Sequence, residues 1–302
     1  MAILRASIQS CNEIPELAKQ LILENPNSGW VFQHNYDVDG RFVVESTTER
    51  LALGFNFSTD WPEQPQLYVG TAYLSPTWPP NLDSMYESIM DRPNPVSYPA
   101  VCYVLMAPSH FHIILHSVES ADLCLIAGGG VCADAHPDMS GHAIWASAQS
   151  RSTYNEQAYY LSDTPANQGR TRTTMIRDSD GHWSWYGSSK GSTRSPISVG
   201  NLSWCNTYDY RFFQRNHGVL RQSATSVFLP VLISQSGWAD VGGFAPRFDI
   251  TPIRLTSREF LGVASIVVYQ GTPWVVFPFR TFMHGQGVDP AIAIVLEPGD
   301  KL

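Results

Sequence analysis

Residues 261–297 read LGVASIVVYQGTPWVVFPFRTFMHGQGVDPAIAIVLE, and three apolar runs stand out in them. Val263, Ile266, Val267 and Val268 make a β-branched run that stops at Gln270-Gly271. Residues 274–279 follow at hairpin distance, and residues 291–296 form the third run. β-Branched and aromatic residues suit a pleated, half-buried surface, and Gly and Pro between such runs supply turns. Tyr269-Gln270-Gly271-Thr272-Pro273 is the turn of the first hairpin, and the Gly-rich residues 283–290 are a longer connection. The spacing predicts three adjacent antiparallel strands on which the fold closes.

Upstream, the same grammar follows a single helix. Ile14, Leu17, Ala18, Leu21 and Ile22 recur at helical spacing and make one apolar stripe, so an amphipathic helix is predicted over residues 12–24. Asn12 or Ser10 can cap it, Pro15 is tolerated in its first turn, and residues 25–29 (NPNSG) end it. Strands are expected at residues 30–33, 41–45, 50–57, 66–74, 100–106, 111–118, 123–126 and 226–233. Asp37-Val38-Asp39-Gly40 and Asp178-Ser179-Asp180-Gly181 read as hairpin turns, and Gly128-Gly129-Gly130 as a break in the strand pattern.

Pro76, Pro79, Pro80, Pro93, Pro95 and Pro99 predict that residues 75–99 are loop, with a short helical turn at 85–90. Residues 187–198 are rich in Ser, Gly and Lys and read as a mobile linker. Both are expected to be arms that reach to a neighbouring subunit. The fold class is therefore α+β and β-dominated: an N-terminal amphipathic helix, antiparallel meanders and long Pro/Gly-rich loops. The chain reads as one β-rich unit, residues 1–302, open to division into two lobes, and three stretches make it up. These are helix plus sheet at 1–133, a loop-rich insertion at 134–225 and the closing meander at 226–302.

Composition narrows the function classes. Charged residues make up only 15% of the 302, well under the roughly one quarter usual for soluble domains. So neutral a surface fits burial against copies or partners. A net charge of -8 argues against gripping nucleic acid, which needs a basic patch, but not against DNA passing nearby. No apolar stretch is long enough to span a membrane, and the first residues lack the apolar core of a secretion signal. Cys11, Cys102, Cys124, Cys132 and Cys205 are odd in number and read as reduced thiols.

The strongest chemical pattern is Ser109-His110-Phe111-His112-Ile113-Ile114-Leu115-His116. On a strand, His110, His112 and His116 share one face, and two His at i and i+2 with a third can hold zinc in a hydrolase. The plainer reading is a half-buried strand with neutral imidazoles, because no Asp, Glu or Cys stands at a convincing ligand spacing. The Asp37 and Asp178 turns lack the closing acidic residue of a calcium loop. Residues 187–192 (GSSKGS) lack the spacing of a phosphate loop, and no nucleophile-elbow sequence occurs. Trp61, Trp78, Trp183 and Trp185 would make a sugar-binding surface if exposed and clustered, whereas Trp30 and Trp274 fall in strand patterns and read as core. No catalytic, cofactor or metal residue is assigned from the sequence, and an enzyme is not expected.

Taken in order, four stretches resemble a family of tailed-bacteriophage virion structural proteins. They are the helix leading into Gly29-Trp30, then residues 67–73 (LYVGTAY), then residues 111–118 running on to Gly128-Gly129-Gly130, and last the closing block. That block comprises Leu229-Pro230-Val231-Leu232, residues 262–269, Trp274-Val275-Val276-Phe277, Arg280-Thr281 and residues 291–296. The chain departs from the family at residues 251–260 (TPIRLTSREF), where the family carries a glycine turn and a small acidic segment.

The resemblance implies a non-enzymatic subunit of the phage particle at the neck or tail end, of connector, collar or tail-terminator type. Its implied partners are copies of itself in a ring and other neck or tail proteins. DNA would pass through the lumen without being gripped, and no membrane is involved. Its place would be the virion, assembled in the host cytoplasm. A baseplate, fibre-attachment or receptor-binding role is the alternative within the class, and a hydrolase with His110, His112 and His116 on a metal is the alternative outside it.

Overall fold

The computed structural model describes residues 1–37, 40–58, 66–89, 98–118, 124–131, 139–152, 155–160, 174–178, 183–185, 203–206, 228–236, 244–257, 262–278 and 290–296. Within these, strands dominate and the only long helix is N-terminal, so the chain is α+β and β-dominated. Three antiparallel sheets account for most of the strands. The central sheet runs Ala2–Ile8, Ala100–Ala107, His110–Ser117, Cys124–Val131, Met139–Ser152, Thr174–Asp178 and Trp183–Trp185, with Asn155–Tyr160 also paired to Met139–Ser152. A five-stranded sheet runs Trp30–Asn35, Phe42–Ser46, Leu51–Asn56, Gln66–Gly70 and Tyr86–Ile89. A six-stranded sheet runs Ser203–Asn206, Leu229–Ser236, Phe244–Ser257, Pro290–Val295, Thr272–Pro278 and Ser265–Tyr269.

The side-chain alternation of a strand explains how these sheets stack. One face of the central sheet presents Cys102, Val104, Met106, Phe111, Ile113 and Leu115 to the five-stranded sheet, which answers with Phe42, Leu53, Phe55 and Val69 in a single buried cluster. Trp30 ties the two layers, donating from Nε1 to the Ala107 carbonyl at 2.7 Å and packing on Phe111 with ring centroids 5.4 Å apart. The opposite face carries Tyr103, Leu105, His110, His112, Ile114 and Ile126, all buried. There Tyr103 meets Phe277 of the six-stranded sheet edge-on, with centroids at 5.1 Å. The central sheet is thus buried on both faces, which is why its strands are so apolar.

The helix spans Ile14–Glu24 behind a short 3-10 turn, Cys11–Glu13, and buries Ile14, Ala18, Leu21 and Ile22 against the same cluster. Of the two expected caps, Ser10 takes the N-cap position and Asn12 does not cap the helix. The Glu13 carboxylate reaches back to accept from the Ser10 backbone N–H at 3.1 Å, closing a capping box. Asn12 instead accepts from the Gly40 N–H at 3.2 Å and so pins the first hairpin turn to the helix start. Residues 38–39 of that turn lie outside the described ones, as do residues 179–182 of the second Asp turn. In both cases the flanking strands do pair.

The closing meander forms as the spacing predicts, with Thr272–Pro278 between Ser265–Tyr269 and Pro290–Val295. Gln270 and Gly271 adopt φ values of 51° and 80°, the left-handed pair that a two-residue hairpin turn requires. A further strand, Phe244–Ser257, pairs with Pro290–Val295 on the other side.

Several expectations need correction. Gly128, Gly129 and Gly130 do not break a strand; they lie inside Cys124–Val131 and pair with both neighbours. Tyr86–Ile89 is a strand against Gln66–Gly70, not a helical turn. Residues 75–83 of the expected arm fold back on their own sheet: Tyr73–Ser75 pairs with Asn81–Leu82 over its outer face. Gly54 and Gly70 make room for this. A Cβ on Gly54 would stand 2.8 Å from Pro80 Cγ, and one on Gly70 2.5 Å from Leu82 Cβ. The remaining expected arm, residues 187–198, lies outside the described residues. Sheet membership also crosses the lobe limits, since Met139–Ser152 and Thr174–Asp178 continue the central sheet begun by residues before 133.

Candidate functional site

The backbone places His110, His112 and His116 on one face of His110–Ser117, as the sequence predicts. His110 and His112 stand over a glycine track. Across the ladder His110 faces Gly130 and His112 faces Gly128. Both imidazoles are buried, at 2% and 0% exposure, with ring centroids 4.8 Å apart and nearly perpendicular planes. His110 Nδ1 is 3.0 Å from Ser109 Oγ. His116, two rungs further on, is half-buried.

Burial sets the chemistry of the pair. It pulls His110 down from 6.5 to about 3, with the Met1 ammonium adding to the effect, and pulls His112 well below 6.5, with His110 adding. Both rings are therefore neutral at physiological pH and closed to solvent. Among the described residues no group of three or more His, Cys, Asp or Glu side chains is placed to hold a metal ion. The strand thus presents two core histidines and a half-buried third.

A second cluster covers the outer face of the five-stranded sheet. Trp78, in the returning loop, packs edge-on to Tyr36 and Tyr68, with centroids at 4.9 and 5.3 Å, and the Arg41 guanidinium sits 5.1 Å from its ring. Glu45 accepts from Gln33 Nε2 and from the Tyr73 N–H. Burial, reinforced by the neighbouring Tyr73 hydroxyl, raises Tyr36 well above its ordinary value, so the phenol stays protonated. This cluster locks the loop down. Trp61 and the side chains of Trp183 and Trp185 lie outside the described residues. Trp30 and Trp274 are buried, as expected of core residues.

The third feature is an edge. Ser265–Tyr269 ends the six-stranded sheet, and Ile266 and Val268 are 46% and 69% exposed on it. Tyr269 opposite Thr272 closes the two-residue turn, so Ile266 and Val268 are the residues whose backbone groups point away from the sheet. Pro273, which has no N–H to offer, stands opposite Val268, consistent with this register. Sequence reasoning recognised this strand but not its edge position, which depends on where the other five strands go. Gly128 and Gly130 were missed as partners of the histidines, although their i, i+2 spacing mirrors that of His110 and His112.

Among the described residues no helix is long and apolar enough to cross a membrane. Set against models of known protein families the chain matches none, and comparison with curated protein sequences gives no match.

Proposed function

We propose that this chain is a structural subunit of a bacteriophage particle, placed at the neck or tail end and acting by oligomeric packing. The observation that carries the reading is the edge strand Ser265–Tyr269. It bears no charge, proline or register shift and leaves Ile266 and Val268 in solvent. Isolated subunits normally blunt such an edge with Lys, Pro or a bulge. A surface with only 15% charged residues in the chain and a long apolar edge suits a subunit whose neighbours are copies of itself. The net charge of -8 suits a ring through which DNA slides without adhering. The resemblance of residues 67–73 and of the closing block to phage virion proteins is the further support for setting such a ring in a particle.

The test is the mass of the purified chain by light scattering over a concentration range, alone and with phage tails or portal complexes. A discrete ring, or a monomer that becomes one on a tail or portal, supports the reading. A monomer that ignores both but adheres to host cells would favour the receptor-binding alternative. A monomer that binds none of these would overturn it.

A further inference from the structure

The rungs that cross the six-stranded sheet carry one apolar row out into solvent. Ile253 pairs with Ile294, Ile294 with Val275 and Val275 with Ile266. Residues directly opposite across a ladder share a face, so these side chains stand in line. Ile253, Ile294 and Val275 are fully buried, whereas Ile266 is 46% exposed and Val268, on the same face, is 69% exposed. The row stops there because no described strand lies beyond Ser265–Tyr269. The other face of the strand is already covered: Val267 and Tyr269 pack on the cluster of Phe228, Trp274, Val276, Ala291 and Ala293.

The free edge is bounded at both ends. Ala264 has φ 58° and Gln270 φ 51°, left-handed values at which an extended ladder ends. Within the hairpin the backbone bonds are made by Ser265, Val267 and Tyr269, which leaves Ile266 and Val268 to bond outward. An added antiparallel strand must set its own outward-bonding residues opposite these two. For a second copy of Ser265–Tyr269, a register centred on Val267 does so at both positions. It places Ile266 against the mate's Val268 and Val268 against the mate's Ile266. Centred on Ile266, the pairing would set Val268 against the mate's Ala264; centred on Val268, it would set Ile266 against the mate's Gln270. Both of those partners have left the extended region.

We propose that Ser265–Tyr269 is a two-fold junction, at which two copies of this chain pair antiparallel about Val267 and join their six-stranded sheets edge to edge. Such a junction presupposes the reading above that this edge meets a copy of the chain, and adds its symmetry and register. The strand carries no charged residue, so pairing with itself sets no like charges together. On one face Ile266 meets Val268 of the mate, and the row that begins at Ile253 continues into the second sheet. On the other face Val267 meets its own counterpart, flanked by Ser265 and Tyr269. The contact uses the same patch on both partners and closes on itself. An assembly in which every chain uses it holds an even number of chains.

The experiment is mild oxidation of Ile266→Cys, Val267→Cys and Val268→Cys, each in the full chain at high concentration. Mass spectrometry then reads the self-linked tryptic peptide, residues 259–280, which holds no native cysteine. Directly opposite residues at a rung of this type have Cα atoms about 4.5 Å apart, within disulfide reach, and diagonal ones about 7–8 Å apart, beyond it. Val267→Cys should therefore link to itself roughly tenfold more than either neighbour. Preferred linking at Ile266→Cys or Val268→Cys would overturn the register, and no link at Val267→Cys would overturn the junction. If the unlinked variants still sediment as oligomers, the ring reading survives on another contact; if they stay monomeric even with tails or portals, that reading fails as well. Should Val267→Cys not fold, hydrogen exchange on the unaltered chain decides. The amides of Ile266 and Val268 should gain at least roughly tenfold protection as concentration rises, and unchanged exchange there overturns the junction.

Discussion

His112 and Gly128 face each other across the central sheet so closely that a Cβ on the glycine would lie 2.8 Å from the imidazole Nδ1 and 2.5 Å from the Phe111 carbonyl oxygen. The second distance is to backbone, which cannot swing aside. Gly128→Ala should therefore displace the strand and destabilise the fold by about 3 kcal/mol, the upper range for overpacking a close-packed core. Gly262→Ala is the control, because a Cβ there meets only Ser265 Oγ at 3.6 Å and should be near neutral. Denaturant midpoints of the two variants decide it. Equal stability would mean that the sheet has slack at the histidines.

Trp30 holds two layers together through one polar atom. Its indole donates to the Ala107 carbonyl inside the main core, and its ring rests on Phe111. Trp30→Phe keeps most of the apolar contact, removes the donor and leaves a small void. A cost of about 2 kcal/mol is expected from the orphaned bond and the void together. The urea midpoint should shift with an unchanged slope, and a shift under ~0.5 kcal/mol would show that the bond contributes nothing net.

How much of this was legible depends on whether a residue's role is set by its chain neighbours or by distant ones. The helix stripe from Ile14 to Ile22 and the Gln270-Gly271 turn are local, and both form as read. Gly128, Gly129 and Gly130 looked like a break because glycine is poor in strands; their use appears only beside His110, His112 and, on the other face, Leu53 and Ile144. Ala2–Ile8 was passed over as a strand because its partner, Ala100–Ala107, lies far along the chain. Phe244–Ser257 was hidden by Pro246 and Pro252, prolines that ordinarily exclude a central strand. The ladder from Leu229–Ser236 shifts register between Ile233 and Ser234, where Pro246 borders the shift, and between Pro230 and Leu232, where Pro252 falls among the unpaired residues. At the candidate site, strand alternation alone reveals the shared face of the three histidines but not the burial of His110 and His112, which depends on what packs over that face.

Acid should weaken the fold. The sign follows from which state binds the proton. Above 6.5 both folded and unfolded chains carry neutral histidines, so His110 and His112 contribute no pH dependence. Below it the unfolded chain takes up protons that the folded chain refuses, until His110 itself titrates near 3. Each of the two should cost the folded state about 1.4 kcal/mol per pH unit in that window, or about 2 kcal/mol between pH 7 and 5. Thermal unfolding at both pH values, compared between the unaltered protein and His110→Gln, isolates one share. A variant as acid-sensitive as the parent would show that other groups set the dependence.

The exposed edge makes the sharpest prediction about assembly. Val268 is 69% exposed, its backbone groups point outward, and it makes no described side-chain contact that its replacement would break. Val268→Lys puts a charge where an incoming strand would lie, which is how unpaired edges are protected in proteins that stay apart. The monomer should keep its stability to within about 0.5 kcal/mol, as for most surface changes. Self-association should weaken by at least roughly tenfold, since an edge ladder cannot form over a solvated ammonium without desolvating it. Sedimentation of the variant beside Leu23→Lys, an equally exposed apolar residue on the helix, separates a specific edge from general stickiness. Equal loss of assembly in both would assign association to diffuse apolar surface, and loss in neither would move the subunit contact away from this edge.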